Sequence, residues 1–117
     1  MAHSRPYRSI LGNATARLVQ TGAVNCLFAH IFSKNNEDNW LHLYDAAAAT
    51  DVSVGTTTPK QSYAVTTSDD THYVMTDINL HDGLEFKLGL VFAVTKEADA
   101  GATAPDSNCI INMGFNE

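Results

Sequence analysis

The chain predicts an all-β fold, an antiparallel β-sandwich, and three observations carry that prediction. Leu84 to Thr95 (LEFKLGLVFAVT) alternates with period two. Turn signals recur between short apolar runs. No segment has the length or pattern of a credible amphipathic helix. In the alternating stretch, Leu84, Phe86, Leu88, Leu90, Phe92 and Val94 share one parity, with Glu85, Lys87, Gly89, Val91, Ala93 and Thr95 on the other. A helix would spread those large residues around its circumference. One continuous central strand of about 40 Å is therefore expected, at about 3.3 Å per residue. Gly89 leaves its outer face bare for a bulge or a close backbone neighbour.

The 117 residues make one domain, and at 44% hydrophobic they can bury a core without help from metal or disulfide. No apolar run reaches the length of a membrane span, so no membrane partner is expected. The N-terminal stretch is basic but lacks the apolar core of a secretory signal, so synthesis and folding in the cytoplasm are expected. Charge is unevenly placed. Arg5, Arg8 and Arg17 precede every acidic residue, while the rest of the chain holds four lysines against thirteen acids, for a net −6. Three arginines on an acidic body argue against a nucleic-acid partner.

Residues 1–13 are expected to form an extended N-terminal arm, with residues 14–117 as the sandwich domain. Pro6 fixes one φ, and Tyr7, Ile10 and Leu11 could press into a groove on an acidic neighbour, aided by Arg5, Arg8 and Arg17. Ala14 to Gln20 reads as a first short strand and Thr21-Gly22 as a turn. Val24 to Ser33 (VNCLFAHIFS) is apolar on both parities, as for a strand buried on both faces. The polar loop 34–39 should project, with Trp40 to Asp45 (WLHLYD) returning as the hairpin partner. Phe28, His30, Phe32, Trp40, His42 and Tyr44 are then candidates for one subunit interface.

Ala46 to Thr58 is too short of helix formers for more than one helical turn. Gln61 to Thr66 and Tyr73 to Leu80 read as strands, and His81-Asp82-Gly83 as a turn. Residues 96–107 form a surface loop. In the closing strand Cys109, Ile111, Met113 and Phe115 face one way. About seven strands result.

Catalytic and metal-binding patterns are weak. There is no G-x-S-x-G elbow, Gly-rich phosphate loop, D-x-D-x-D-G loop or Cys-x-x-Cys. His30, His42, His72 and His81 match no single-element ligand spacing. Cys26 and Cys109 read as small buried hydrophobes. No enzyme activity, cofactor or metal is expected. Trp40, Tyr44, Tyr63 and Tyr73 are aromatics of a core or subunit interface, with a sugar platform as the competing reading.

Three segments, in order, resemble a family of small tailed-phage virion proteins. Trp40 to Ala46 (WLHLYDA) resembles the family's "xLKLYNKA" strand, and Val54 to Pro59 (VGTTTP) resembles its "VGTDTP". Gly83 to Thr95 resembles its "GIxFxxGIxFAIT" strand, followed by an Ala/Asp/Gly loop and a last strand, here Cys109 to Phe115. The resemblance spans about residues 20–116. It implies a jelly-roll-like sandwich without catalytic function. The implied role is a capsid decoration (cement) protein on the outer surface of the icosahedral head, bound to the major capsid protein as a homotrimer. A tail, baseplate or head-fibre component that binds host-surface carbohydrate is the alternative.

Overall fold

Two four-stranded antiparallel sheets carry the alternating segments. The computed structural model describes residues 5–117. Its strands are β1 (Arg5–Gly12), β2 (Arg17–Thr21), β3 (Val24–Ser33), β4 (Asn39–Asp45), β5 (Gln61–Val65), β6 (Val74–Phe86), β7 (Gly89–Thr95) and β8 (Cys109–Asn116), with one 3-10 turn at Ala49–Asp51. Sheet A has the order β1-β8-β3-β6 and sheet B the order β2-β7-β4-β5. The pairs β1·β8, β2·β7, β3·β6 and β4·β5 are nested, each antiparallel. The sandwich is thus an eight-stranded all-β structure, as the alternation predicts.

The core lies between the sheets. Ile31, Phe86, Ile111 and Met113 from sheet A meet Leu41, Leu43, Leu90, Phe92 and Val94 from sheet B. Tyr7 closes one side, its ring edge-on to Phe92 at 5.8 Å. Cys26 and Cys109 are free and buried. Burial pushes each thiol up to about 11, so both behave as apolar filler.

The structure corrects several expectations. Leu84 to Thr95 is not one strand. The chain leaves sheet A after Phe86 and enters sheet B at Gly89, and Leu88, expected inward, is 58% exposed. The crossing is held by Asp45, whose carboxylate accepts the backbone N–H groups of Lys87 at 3.1 Å, Leu88 at 2.8 Å and Gly89 at 3.4 Å. Gly89 has φ +156°, and a Cβ there would lie 2.4 Å from the Ala46 carbonyl oxygen. Glycine is required where two backbones touch.

Next, β3 and β4 do not form a hairpin, because each pairs only within its own sheet. The loop between them passes from sheet A to sheet B and does not project. Asn35 is 1% exposed. Its Nδ2 donates to Asn39 Oδ1 and to the Ser107 carbonyl, each at 2.8 Å, and its Oδ1 accepts the Ser107 N–H at 2.9 Å. That amide ties the crossing loop to the segment before β8.

β3 is not buried on both faces. A register shift between Cys26 and Phe28 opposes two β3 steps to one step of β8. This bulge switches the inward parity from Val24 and Cys26 to Ala29, Ile31 and Ser33. Phe28, His30 and Phe32 therefore point out. The turn expected at His81-Asp82-Gly83 is likewise a bulge within β6, with His81 at φ 49° and Gly83 at φ 97°.

Residues Arg5–Gly12 do not stand off the sandwich. They form the edge strand of sheet A, in register with β8 from Arg5↔Phe115 to Ser9↔Ile111. The first four residues of the expected arm lie outside the described residues. Finally, the connection 46–58, expected to hold no more than one helical turn and holding one 3-10 turn, covers sheet B. Ala46, Val52 and Val54 pack on Tyr44, Val91 and Ala93, so β7 is buried throughout.

Candidate functional site

The two outer faces of the sandwich differ. The outer face of sheet B is closed. Trp40, His42 and Tyr44 alternate outward on β4, but His42 and Tyr44 are 1% and 2% exposed. His42 Nδ1 lies 2.7 Å from Ser62 Oγ, and its Nε2 lies 2.9 Å from Thr95 Oγ1 and 3.2 Å from the Glu97 carbonyl oxygen. The Thr95 hydroxyl donates to that same carbonyl. A carbonyl only accepts, so this network puts the imidazole proton on Nε2 and lets Nδ1 accept from Ser62. Burial lowers the His42 pKa, against a weaker upward pull from the Glu97 carbonyl and carboxylate. A neutral ring is thereby fixed between β4, β5, β7 and the loop beyond β7. A serine, a histidine and a third group also occur together in nucleophilic catalysis. Here the third group is a carbonyl with a threonine hydroxyl, and the ring is sealed. Ser62 lines the rim of a cleft of about 390 Å³, together with Gly55, Thr56, Thr58, Pro59 and Asp99.

The outer face of sheet A is open among the described residues. Its registers define three rows running across the four strands. The first joins Met75, Phe32 and Ile110, with Ile10 beside Ile110 where the β1 register slips. The second joins Asp77, His30, Asn112 and Arg8. The third joins Asn79, Phe28, Gly114 and Pro6. His30 Nε2 lies 3.1 Å from Asp77 Oδ1. Phe28 and His30 rings are 4.9 Å apart. The Phe28 ring lies over Gly114, where an added Cβ would come within 2.1 Å of it. Ile10 and Met75 are 58% and 46% exposed. Beside the first row, Arg8, Phe32, Tyr73, Ile110 and Asn112 line a shallow hollow of about 270 Å³, and the Lys34 ammonium lies 5.7 Å from the centre of the Tyr73 ring.

The six expected interface residues thus fall into two groups on opposite sides. Phe28, His30 and Phe32 are on the open face. Trp40, His42 and Tyr44 are on the covered one, because β3 and β4 belong to different sheets. His30 and His42 cannot face each other. Among the expected arm residues, Pro6, Arg8 and Ile10 point outward from sheet A. Arg5 pairs with Glu117 and lies over the Phe115 ring at 5.9 Å, Tyr7 points into the core, and Leu11 is 41% exposed. Arg17 belongs to sheet B, and its Nε donates to the Leu11 carbonyl at 3.1 Å. His72 contacts Asp69 in an exposed turn. Among the described residues no group of three or more His, Cys, Asp or Glu side chains is placed to hold a metal ion, and no helix is long and apolar enough to cross a membrane. The sequence reading missed Met75, Asp77, Ile110 and Asn112. Their outward parity was legible, but not their alignment with Phe32 and His30.

No protein-family model matches the chain, and neither the curated proteins nor the solved structures contain a significant match.

Proposed function

We propose that the chain is a structural protein of a tailed-phage virion, without catalytic function. It decorates the outer surface of the head by binding the major capsid protein, and it self-associates. One observation carries this reading. Parts of all three segments that resemble the phage family come together on sheet B, while Gly83–Phe86 of the third stays in sheet A. Trp40–Asp45 pairs with Gly89–Thr95 as β4 and β7, and Val54 packs with Tyr44 and Val91 as part of their cover. The opposite face is left open and presents aromatic, aliphatic and charged rows. Such a division suits a protein whose task is adhesion. The nested strand pairing agrees with the winding of a jelly roll, which folds four antiparallel pairs into two sheets.

The test is co-sedimentation of the purified protein with empty heads that lack it. Saturable pelleting with the heads supports decoration, and a protein that stays in the supernatant at every ratio sinks it.

The second reading, carbohydrate binding by a tail or baseplate component, has a different support from the one the sequence offered. Tyr44 is buried, so Trp40 and Tyr44 form no platform. Phe32 and Tyr73, with Arg8 and Asn112 beside them, do combine ring faces with hydrogen-bonding groups. Binding on a glycan array that is lost in Tyr73→Ala would favour this reading.

A further inference from the structure

The open face of sheet A is complementary to itself. Arg8 is on edge strand β1 and Asp77 on edge strand β6, in the same cross-strand row. They are three strand spacings apart, about 14 Å at about 4.8 Å each, too far for a direct pair within one chain. Suppose a second copy is laid face to face, rotated by a two-fold axis parallel to the strands. Each row then meets itself reversed. Arg8 of each copy falls over Asp77 of the other, and His30 falls over Asn112. In the first row Phe32 meets Ile110, and Met75 meets Ile10. In the third, each Phe28 falls over the other copy's Gly114, which that copy's own Phe28 ring covers, so the two rings meet. Facing sheets cross at about 30°, which displaces the edge residues by only about 4 Å, within reach of an arginine. A two-fold axis across the strands does the opposite. It places Arg8 over Arg8 and Asp77 over Asp77, and lays the first row on Pro6, Gly114, Phe28 and Asn79. The charge row therefore selects one of the two arrangements.

We infer that the outer face of sheet A is the docking surface for a second copy of this chain, packed face to face about a two-fold axis parallel to the strands. This rests on the reading of the chain as a self-associating structural protein, and it replaces the threefold contact implied by the family resemblance with an isologous one. The face is roughly 19 Å by 23 Å, or roughly 440 Å² per copy, against roughly 800 Å² per partner in a standard interface. Two free copies consequently associate weakly, with Kd on the order of 10–100 µM. An array of copies on a shell would make such contacts effective through multivalency.

Analytical ultracentrifugation from about 10 µM to about 1 mM tests this without any capsid, so it fails or succeeds independently of head binding. Arg8→Glu and Asp77→Lys should each weaken the dimer about tenfold or more, because the two-fold repeats every loss twice. The exchanged variant Arg8→Glu/Asp77→Lys should return to within about threefold of the parent, since the restored pairs lie between copies. Both side chains are exposed, and matching circular dichroism and melting curves establish that each variant is folded. A monomer at about 1 mM, a trimer, single variants with unchanged affinity, or an exchanged variant no better than the singles would each overturn the inference.

Discussion

Removing the Asp45 carboxylate should loosen the point where the chain passes from sheet A to sheet B. The carboxylate accepts three consecutive backbone N–H groups at 2.8, 3.1 and 3.4 Å. Hydrogen bonds to charged groups are worth about 1.5–3 kcal/mol where water is excluded. These donors are near the surface, and water can replace the acceptor in part. A total near 2 kcal/mol for Asp45→Ala follows, most of it from the shortest bond. With about 2.1 cal/mol/K of unfolding entropy per residue, the 117 residues convert this to a fall in Tm of about 8 °C. Asp45→Asn keeps one oxygen acceptor and should lose about half as much. Burial alone would raise the Asp45 pKa, but the three N–H groups and nearby Lys60 lower it overall. Its stabilisation is thus fully present above the ordinary value of 3.8 and is lost as pH falls through the lowered folded value. Asp45→Asn should lack that acid limb. Calorimetry across pH reads both effects. A Tm for Asp45→Ala within about 2 °C of the parent would refute the assignment of the crossing to this carboxylate.

Other expectations are equally direct. Phe86→Ala and Phe92→Ala each empty a fully buried position and should cost about 3–5 kcal/mol in chemical denaturation; a loss below about 1 kcal/mol at both would mean that the core lies elsewhere. Gly89→Ala drives a Cβ into the Ala46 carbonyl and should cost more than about 3 kcal/mol, whereas Gly22→Ala, at φ +85° with open space around it, should cost only about 1–2 kcal/mol. Equal losses in denaturant titrations would contradict the close approach at Gly89. His42 is buried with a lowered pKa, so the unfolded chain binds the proton more readily. Its effect on stability is absent above the ordinary value of 6.5 and destabilises the fold as pH drops below it, with a slope of up to about 1.4 kcal/mol per pH unit. His42→Gln should flatten that slope in pH-dependent melts.

The sheet content of this fold was legible in the sequence, while its pairing was not. Alternation places Cys109, Ile111, Met113 and Phe115 on one face, and all four are buried. Alternation reads only local conformation, however, and three non-local features changed what it implied. The Lys87-Leu88 crossing is invisible to parity because Phe86 and Phe92 both end in the core, reached from different sheets. The bulge at Leu27 makes a one-sided strand look apolar on both sides. The cover formed by Val52 and Val54 turns the outward residues Val91 and Ala93 into buried ones. The candidate face was half legible for the same reason. Phe28, His30 and Phe32 lie on one strand and were found together, whereas Arg8, Asp77, Ile110 and Asn112 join them only through pairings between segments far apart in the chain. An alignment with Trp40, His42 and Tyr44 depended on a hairpin that the loop 34–38, tied down by Asn35, does not make.

Reconstruction by electron microscopy of empty heads mixed with the purified protein tests the proposed role most directly. Decoration predicts discrete extra density on the outer surface of the shell, repeated with its symmetry and fitted by the eight-stranded sandwich. Bare heads at saturating protein, or density confined to the tail, would contradict it.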